Sequence, residues 1–233
     1  MRKPQLFLFH FAGGNCYSFR FLTPLLPDYE VIALELPGRG RRINEPLLND
    51  FDEAAKDLYN QVITHLTTAE FLIYGHSMGA YLTLRVANML EKTGRQPAGI
   101  IVSGNAGPGI QPEDKRMRHL LNRVDFIEEL KALGGLPPEL LEHEELFNFF
   151  EPVLRADFRI VELNDLNNEP PVQTPIYAMM GDEEEKAAEI DNWGKFTTGY
   201  FQSAILKGNH FFIYGHSNRI AGIINAFHQG LPA

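Results

Sequence analysis

The chain has 233 residues, of which 44% are hydrophobic and 22% are charged, and this composition is typical of a globular protein with a sizeable core. Its formal net charge of −9 at pH 7 argues against nucleic acid or an anionic membrane as the main partner. The sequence has no run of about 18 apolar residues that would predict a membrane span. The single cysteine, Cys16, excludes an intramolecular disulfide and fits a reducing compartment. We therefore expect a cytoplasmic protein.

Short apolar segments alternate with helical patterns along the chain, which predicts an α/β fold with a mostly parallel central sheet flanked by helices. The predicted strands are Gln5–His10, Glu30–Leu34, Glu70–Tyr74, Gly99–Ser103, Pro175–Met180 and Gln202–Leu206. The predicted helices around this sheet are Tyr17–Leu25, Phe51–Leu66, Ser77–Glu91, Asp191–Thr198 and Asn218–Gln229. Asp50 is the predicted N-cap of the second of these helices, with Glu53 three residues later.

Residues 105–170 interrupt the alternation. They contain helical patterns without a convincing strand, at Asp114–Leu121, Asp125–Leu133, Pro138–Leu141 and Glu145–Leu166. We therefore predict one domain over residues 1–233, with a helical lid insertion at 105–170 above the strand ends where ligands bind. An extra helical layer without a gating role is the alternative.

A G-x-S-x-G motif stands between the third predicted strand and the helix after it. The sequence is Gly75-His76-Ser77-Met78-Gly79. Strand, tight turn and helix form the context in which this motif is a nucleophile elbow, a strained turn that exposes the serine hydroxyl. A Cβ at position 75 or 79 would collide with the neighbouring strand and helix, which explains the two glycines. Ser77 is therefore the predicted nucleophile.

A serine nucleophile needs a general base, and in α/β-hydrolases the chain order is serine, acid, histidine. Of the eight histidines, His210 follows the last predicted strand through the turn Lys207-Gly208-Asn209, so it is the predicted base. His216 lies in Tyr214-Gly215-His216-Ser217, which repeats the start of the elbow but lacks its second glycine.

The acid that orients the base should follow the strand Pro175–Met180. The segment there is Gly181-Asp182-Glu183-Glu184-Glu185, and its chain position does not choose among four carboxylates. One of them should accept a hydrogen bond from the other ring nitrogen of His210 and stabilise the imidazolium.

The tetrahedral intermediate of acyl transfer needs two backbone N–H groups that bind its oxyanion. The residue after the nucleophile, Met78, should supply one of them. The loop after the first strand, His10-Phe11-Ala12-Gly13-Gly14, should supply the other, and Ala12 is the predicted donor. Neither a metal nor a cofactor is expected.

Together with further motifs, these residues identify a family. The chain resembles, almost end to end, the type II thioesterases, free-standing editing hydrolases that accompany non-ribosomal peptide and polyketide synthases. The motifs that carry the resemblance are Phe9-His10-Phe11-Ala12-Gly13-Gly14, Glu35-Leu36-Pro37-Gly38-Arg39-Gly40, Gly75-His76-Ser77-Met78-Gly79-Ala80, Pro152-Val153-Leu154-Arg155-Ala156-Asp157-Phe158 and Gly208-Asn209-His210-Phe211-Phe212. The resemblance implies the α/β-hydrolase fold.

The chain departs from the family pattern at two places. Asn209 replaces the second of two glycines before the histidine. The family's acid is an aspartate in a G-x-x-D pattern, and here that position holds Glu184, while Asp182 lies two residues earlier. Glutamate serves in other members of the fold. The acid is therefore left open between Glu184 and Asp182.

The resemblance also implies the substrate: an acyl group held as a thioester on the phosphopantetheine arm of an acyl or peptidyl carrier protein. The acyl chain would run beneath the lid, against apolar residues such as Leu120, Phe126, Leu130 and Phe149. Carrier proteins are generally acidic, so docking needs a basic patch, and two clusters are candidates: Arg39, Arg41 and Arg42, and Lys115, Arg116 and Arg118. A structural role for the first cluster and a solvated helix face for the second are the alternatives.

We expect a monomer that edits mis-primed or stalled synthases. A general serine esterase or lipase acting on small free esters would share every catalytic residue. A chain-terminating cyclase or acyltransferase would use a substrate nucleophile in place of water. A binding module on the same fold is the remaining alternative, although it would need neither Ser77 nor His210.

Overall fold

The computed structural model describes residues 2–110, 116–134 and 143–230. Its centre is one sheet of six strands, all parallel, in the order β2-β1-β3-β4-β5-β6. The strands are β1 Gln5–Phe9, β2 Glu30–Ala33, β3 Phe71–His76, β4 Gly99–Ser103, β5 Ile176–Gly181 and β6 Phe201–Leu206. The predicted α/β-hydrolase fold with a parallel central sheet flanked by helices is confirmed.

The strand order places the loops after β1 and β3 beside each other. The chain passes from β1 outward to β2 and then returns to the other side of β1 to form β3. Ligands of open α/β sheets bind at such a reversal, outside the carboxyl ends of the strands. The loop that begins at His10 and the turn at Ser77 both lie at this end of the sheet.

In the described part of the chain, five α-helices accompany the sheet. They are α1 Phe51–His65, α2 Met78–Lys92, α3 Arg123–Leu133, α4 Glu144–Glu162 and α5 Ser217–His228. Asp50 is the N-cap of α1, as predicted, and its side chain accepts a hydrogen bond from the N–H of Glu53 at 3.0 Å. The last residue of α5, His228, contacts Tyr29 and Glu70, which precede β2 and β3 at the end of the sheet opposite Ser77.

Alternate strand residues enter two separate cores, one on each face of the sheet. Phe7, Phe9 and Ile73 pack with α1 and α2 on one face. Leu6 and Leu8 pack with α5 on the other. Because successive strand side chains point to opposite faces, strands buried on both sides read as continuous apolar runs.

Two predicted helices are wrong as α-helices. Residues of the predicted Tyr17–Leu25 helix form successive turns that end in a short 3-10 helix, Thr23–Leu25. Pro24 has no N–H to donate to the preceding turn, so the α-helical bond pattern cannot continue there. Residues 191–196 of the predicted Asp191–Thr198 helix form the end of a ten-residue 3-10 helix, Ala187–Phe196, and the last two predicted residues lie beyond it.

Between β4 and β5 the described residues contain α3, α4 and the short 3-10 helix Arg118–Leu120, and no strand within 105–110, 116–134 or 143–170. Phe126, Leu130, Phe147 and Leu154 form a small core of this insertion. The predicted helix Pro138–Leu141 and part of the predicted helix Asp114–Leu121 lie outside the described residues. No helix in the described part of the chain is long and apolar enough to cross a bilayer.

Candidate active site

Ser77 lies on the turn that joins β3 to α2, with φ 55° and ψ −114°. Among residues 2–110, 116–134 and 143–230, it is the only residue other than glycine with a positive φ. A residue with a Cβ adopts this conformation only at a cost of about 1–3 kcal/mol, which the surrounding structure must offset. The N–H of Ser77 donates to the carbonyl of Ser103 at 2.7 Å, so the pairing of β3 with β4 continues into the turn and holds it.

The two glycines of the motif have the steric role that the sequence predicts. A Cβ at Gly75 would lie 2.1 Å from the carbonyl oxygen of Gly79, in α2. A Cβ at Gly79 would lie 2.2 Å from the carbonyl oxygen of Phe9, in β1. Both distances are far below van der Waals contact. The turn is therefore packed directly against the strand that leads to the loop at His10.

His210 contacts Ser77 from the loop that follows β6. Its Nε2 lies 3.0 Å from the Oγ of Ser77. Its Nδ1 lies 2.8 Å from Oε1 of Glu184. These distances are those of a nucleophile, a base and an acid joined by hydrogen bonds. With Nδ1 protonated and donating to the carboxylate, Nε2 is free to accept the proton of the serine.

The structure brings Glu184, and not Asp182, to His210. The second carboxylate oxygen of Glu184, Oε2, accepts a hydrogen bond from the N–H of Gly181 at 2.7 Å, which fixes the side chain against the end of β5. Asp182 instead accepts from the N–H of Gly208 at 2.8 Å, and this bond lowers its pKa. Asp182 therefore supports the turn before His210 without touching its ring.

The loop after β1 has N–H groups with different partners. The N–H of Gly14 donates to the carbonyl of Phe11 at 2.9 Å, and that of Gly13 donates to Oδ2 of Asp157 at 2.7 Å. The N–H groups of Ala12 and Met78 have no acceptor among the described residues. Ala12 also lines the cavity beside Ser77, and Met78 is the first residue of α2. No acceptor within the described residues thus competes for these two N–H groups, and their role in binding an oxyanion stays a prediction.

A cavity of about 450 Å³ opens beside Ser77 and His210. Its apolar wall comes from α2, α3 and α4, with Tyr81, Leu130, Leu154, Phe158 and Val161. Of the four residues expected along the acyl chain, Leu130 alone lines this cavity. Phe126 is buried in the core of the insertion, and Leu120 and Phe149 are 71% and 58% exposed. Their apolar character in the sequence did not reveal which side of each helix faces the cavity.

The two basic clusters differ in availability. Arg39 is buried, and Arg42 is paired with Glu45 and Asp57, so neither guanidinium is presented to a partner. The structural alternative therefore holds for these two residues. Arg116 and Arg118 line the cavity, and both contact Glu129. Lys115, the third member of that cluster, lies outside the described residues.

A second histidine, His76, lies against the site and was not predicted to take part in it. Its ring is fully buried, with its centroid 5.0 Å from that of His210. Its Nδ1 lies 2.8 Å from Oγ of Ser103, whose hydroxyl also lies 3.0 Å from that of Tyr74. Burial, followed by the proximity of His210, lowers the pKa of His76 well below 6.5, so the ring is neutral. Its position next to the nucleophile was the only signal in the sequence.

The carboxylate of Asp157, on α4, reaches the loop after β1 and was also missed as a site residue. It forms a two-point ion pair with the guanidinium of Arg39, with Nη1–Oδ2 and Nη2–Oδ1 distances of 2.5 and 2.8 Å. Both residues lie in sequence motifs singled out above, 118 positions apart. Pairing at that separation cannot be inferred from a single sequence.

Comparison with known proteins places this geometry in a family. The family model of the Thioesterase domain matches residues 4–228 of the sequence, which is nearly the whole chain. The chain belongs to the thioesterase domain family. It is thus a hydrolase that acts on thioesters.

Three relatives illustrate the breadth of this thioesterase family. Thioesterase PikA5 of Streptomyces venezuelae is 30% identical over 93% of this chain and 77% of its own length. YbtT, a type II thioesterase from the yersiniabactin pathway, superposes with a TM-score of 0.87 at 29% identity, covering 99% of this chain and 95% of its own. Linear gramicidin dehydrogenase LgrE of Brevibacillus parabrevis is 32% identical over 95% of this chain and 86% of its own length.

The name of the last relative refers to a dehydrogenase. A dinucleotide-binding fold of that kind carries G-x-G-x-x-G after its first strand. The corresponding loop of this thioesterase reads His10-Phe11-Ala12-Gly13-Gly14, and the motif occurs nowhere in the sequence. The residues present therefore match the thioesterase family and not a nicotinamide-dependent enzyme of this type.

Proposed function

We propose that this thioesterase releases acyl groups from the phosphopantetheine arm of an acyl or peptidyl carrier protein, and so edits mis-primed or stalled synthases. One observation carries the proposal: Ser77, His210 and Glu184 are connected by hydrogen bonds of 3.0 and 2.8 Å beside an apolar cavity. The type II thioesterase YbtT, of a peptide and polyketide pathway, supports the substrate class by its similarity. We further propose that the protein acts as a monomer, since one chain supplies the whole site, and that it acts in the cytoplasm, since its single cysteine fits a reducing compartment.

In the first half of the reaction, His210 takes the proton of the Ser77 hydroxyl through Nε2 as Oγ attacks the thioester carbonyl. The N–H groups of Met78 and Ala12 bind the oxyanion that forms on the carbonyl oxygen. Glu184 holds the Nδ1–H of the ring and stabilises its positive charge. The C–S bond then breaks, and the thiol leaves with the proton carried by His210.

In the second half, a water molecule replaces the thiol. His210 takes its proton, the hydroxide attacks the acyl carbonyl, and a second oxyanion is bound by the same two N–H groups. When the bond to Oγ breaks, His210 returns the proton to Ser77. The products are a free acid and the regenerated serine.

We propose that the insertion at residues 105–170 is a lid over the acyl chain. Leu130 of α3 and Leu154, Phe158 and Val161 of α4 line the cavity, so the acyl chain would lie against them. An apolar pocket discriminates only about 10–200-fold per methylene. Weak selection of this kind suits an enzyme that must clear different acyl groups.

The test is a rate comparison over a panel of substrates. Acetyl, propionyl and longer acyl groups are loaded on carrier proteins, and the same acyl groups are offered as simple oxyesters. We expect higher kcat/KM for the carrier thioesters, with acetyl and propionyl carriers within about two orders of magnitude of each other. Preference for oxyesters would indicate a general esterase, and preference for one long acyl chain by about 10⁴-fold would indicate a dedicated chain-release enzyme.

A further inference from the structure

We propose that Asp157 is a positioning residue for the oxyanion hole, through the hydrogen bond that it accepts from the N–H of Gly13. This inference rests on the proposed function, in which the N–H of Ala12 binds the oxyanion. Asp157 belongs to α4 of the insertion, whereas the loop that it holds follows β1. The two meet at a distance of 2.7 Å between Gly13 N and Asp157 Oδ2.

The contact acts on the peptide next to the one that binds the oxyanion. The N–H of Gly13 belongs to the peptide between Ala12 and Gly13, so Asp157 fixes the direction of that plane. Only φ and ψ of Ala12 separate it from the preceding peptide, which carries the N–H of Ala12. The carbonyl of that preceding peptide, on Phe11, accepts the N–H of Gly14 at 2.9 Å. With both planes held, the N–H of Ala12 has one direction.

Arg39 compensates the charge of the buried Asp157 carboxylate. The Asp157 side chain is 0% exposed and that of Arg39 is 5% exposed. A buried carboxylate without a partner would be strongly destabilising, and the two-point ion pair compensates its charge. The pair uses one lone pair on each oxygen, and Oδ2 has capacity left for Gly13. Charge balance by Arg39 alone does not require that third bond.

The same helix also supports the loop sterically. A Cβ at Gly13, where φ is 75°, would lie 2.5 Å from Cδ2 of Leu154. Leu154 and Asp157 are three residues apart, so they lie on one face of α4. The loop therefore has both a hydrogen-bonding and a packing surface on this helix. A displacement of α4 would release Gly13 and with it the orientation of the Ala12 N–H.

The experiment compares two double variants that differ in one property. Both R39M/D157N and R39M/D157L remove the buried charges, and replacement of a buried ion pair by uncharged groups of similar volume is often tolerated. The amide oxygen of D157N can still accept from the N–H of Gly13, whereas the side chain of D157L cannot. The readouts are kcat and KM on an acyl carrier thioester, and affinity for an acyl trifluoromethyl ketone, whose adduct with Ser77 carries an oxyanion.

We expect R39M/D157L to show about 10- to 100-fold lower kcat and ketone affinity than R39M/D157N, with KM within about threefold, because loss of one oxyanion donor costs about 10²–10³-fold in kcat. Amide hydrogen exchange at Gly13 should be faster in R39M/D157L than in R39M/D157N, because only the first variant lacks an acceptor for this N–H. The control is R85M/E169L, which removes the ion pair between α2 and the segment before β5, where the Arg85 Nε to Glu169 Oε2 distance is 2.7 Å.

Equal kcat and equal ketone affinity in the two Asp157 variants would overturn the proposal, as would an equal loss in R85M/E169L. Hydrolysis by the wild-type protein tests the proposed function separately. Both variants lack Arg39 and the carboxylate of Asp157. The difference in kcat and ketone affinity between them therefore reports on the hydrogen bond from the N–H of Gly13. A wild-type protein that forms the ketone adduct but does not hydrolyse carrier thioesters would reject the substrate class and leave the comparison of ketone affinities valid.

Discussion

Nε2 of His210 lies 3.0 Å from Oγ of Ser77, although 133 positions separate the two residues in the chain. The contact follows from the sheet, since β3 and β6 are parallel and the turns after them lie at the same end. The proposed mechanism depends on this distance, because the serine hydroxyl is a weak nucleophile without a base within hydrogen-bonding reach.

Ser77→Ala should reduce kcat by about 10⁴–10⁶-fold without unfolding the protein, since the hydroxyl attacks the carbonyl. Hydrolysis of an acyl carrier thioester is the measurement, with circular dichroism as the check on folding.

His210→Ala should reduce kcat similarly, and the double variant with Ser77→Ala should lose little more, because nucleophile and base act as a unit. Ser217→Ala is the control, in the segment that repeats the start of the elbow. If His210→Ala retained more than about a tenth of the activity, His210 would not be the base.

Glu184→Gln should reduce kcat by about 10²–10⁴-fold, because the amide does not stabilise the imidazolium of His210 and favours the wrong tautomer. Asp182→Asn should stay within a few-fold of the wild type, since its carboxylate contacts Gly208 and Lys207 and not the ring. The two variants are matched controls for each other, being close in sequence and alike in chemistry. Equal, mild losses from both would show that neither is the acid.

Ser77→Gly should be more stable than Ser77→Ala by about 1 kcal/mol. The backbone of Ser77, at φ 55° and ψ −114°, is accessible to glycine and strained for alanine, and the relief of about 1–3 kcal/mol exceeds the entropic cost of glycine, about 0.4–1 kcal/mol. Urea unfolding of the two variants gives the difference. At Ser217, the first residue of α5, the order should reverse, because glycine is disfavoured in a helix. A more stable alanine variant at position 77 would disprove strain at the elbow.

Stability should fall as the pH drops below about 6.5. Burial lowers the pKa of His10 to about 4, with a contribution from the charge of Arg39. Burial also lowers the pKa of His76, with a contribution from the neighbouring His210. Both rings stay neutral in the folded protein but take up protons in the unfolded chain, so the unfolded state binds more protons and gains stability in acid. Each histidine should contribute a slope of about 1.4 kcal/mol per pH unit.

Urea unfolding between pH 6.5 and 5 measures this slope. The double variant H10Q/H76Q removes both rings. The slope of its unfolding free energy against pH should be smaller than that of the wild type, by an amount that corresponds to the uptake of up to about two protons on unfolding. Above pH 7.5 the two histidines are neutral in both states, so wild type and variant should run parallel there. An unchanged slope below pH 6.5 in the variant would contradict the prediction.

The elbow and the base were predictable because their signals are local. Gly75, Ser77 and Gly79 lie within five residues, and His210 follows its strand directly. The partner of His210 was not predictable, because Asp182 and Glu184 lie on one tight turn, and only its backbone path decides which carboxylate faces the ring. The helix predicted at Tyr17–Leu25 failed because apolar spacing of three to four residues is also produced by consecutive turns.

The parallel sheet gives the molecule two chemically different ends. Ser77 and His210 lie where the strands finish, while Gln5 begins β1 at the opposite end, and His228 returns there to contact Tyr29 and Glu70. Both ends of the described chain are thus remote from the mouth of the cavity. A fusion partner or a surface linker attached at either end would leave the mouth open to an incoming substrate, which makes this enzyme suitable for tethering to a solid support.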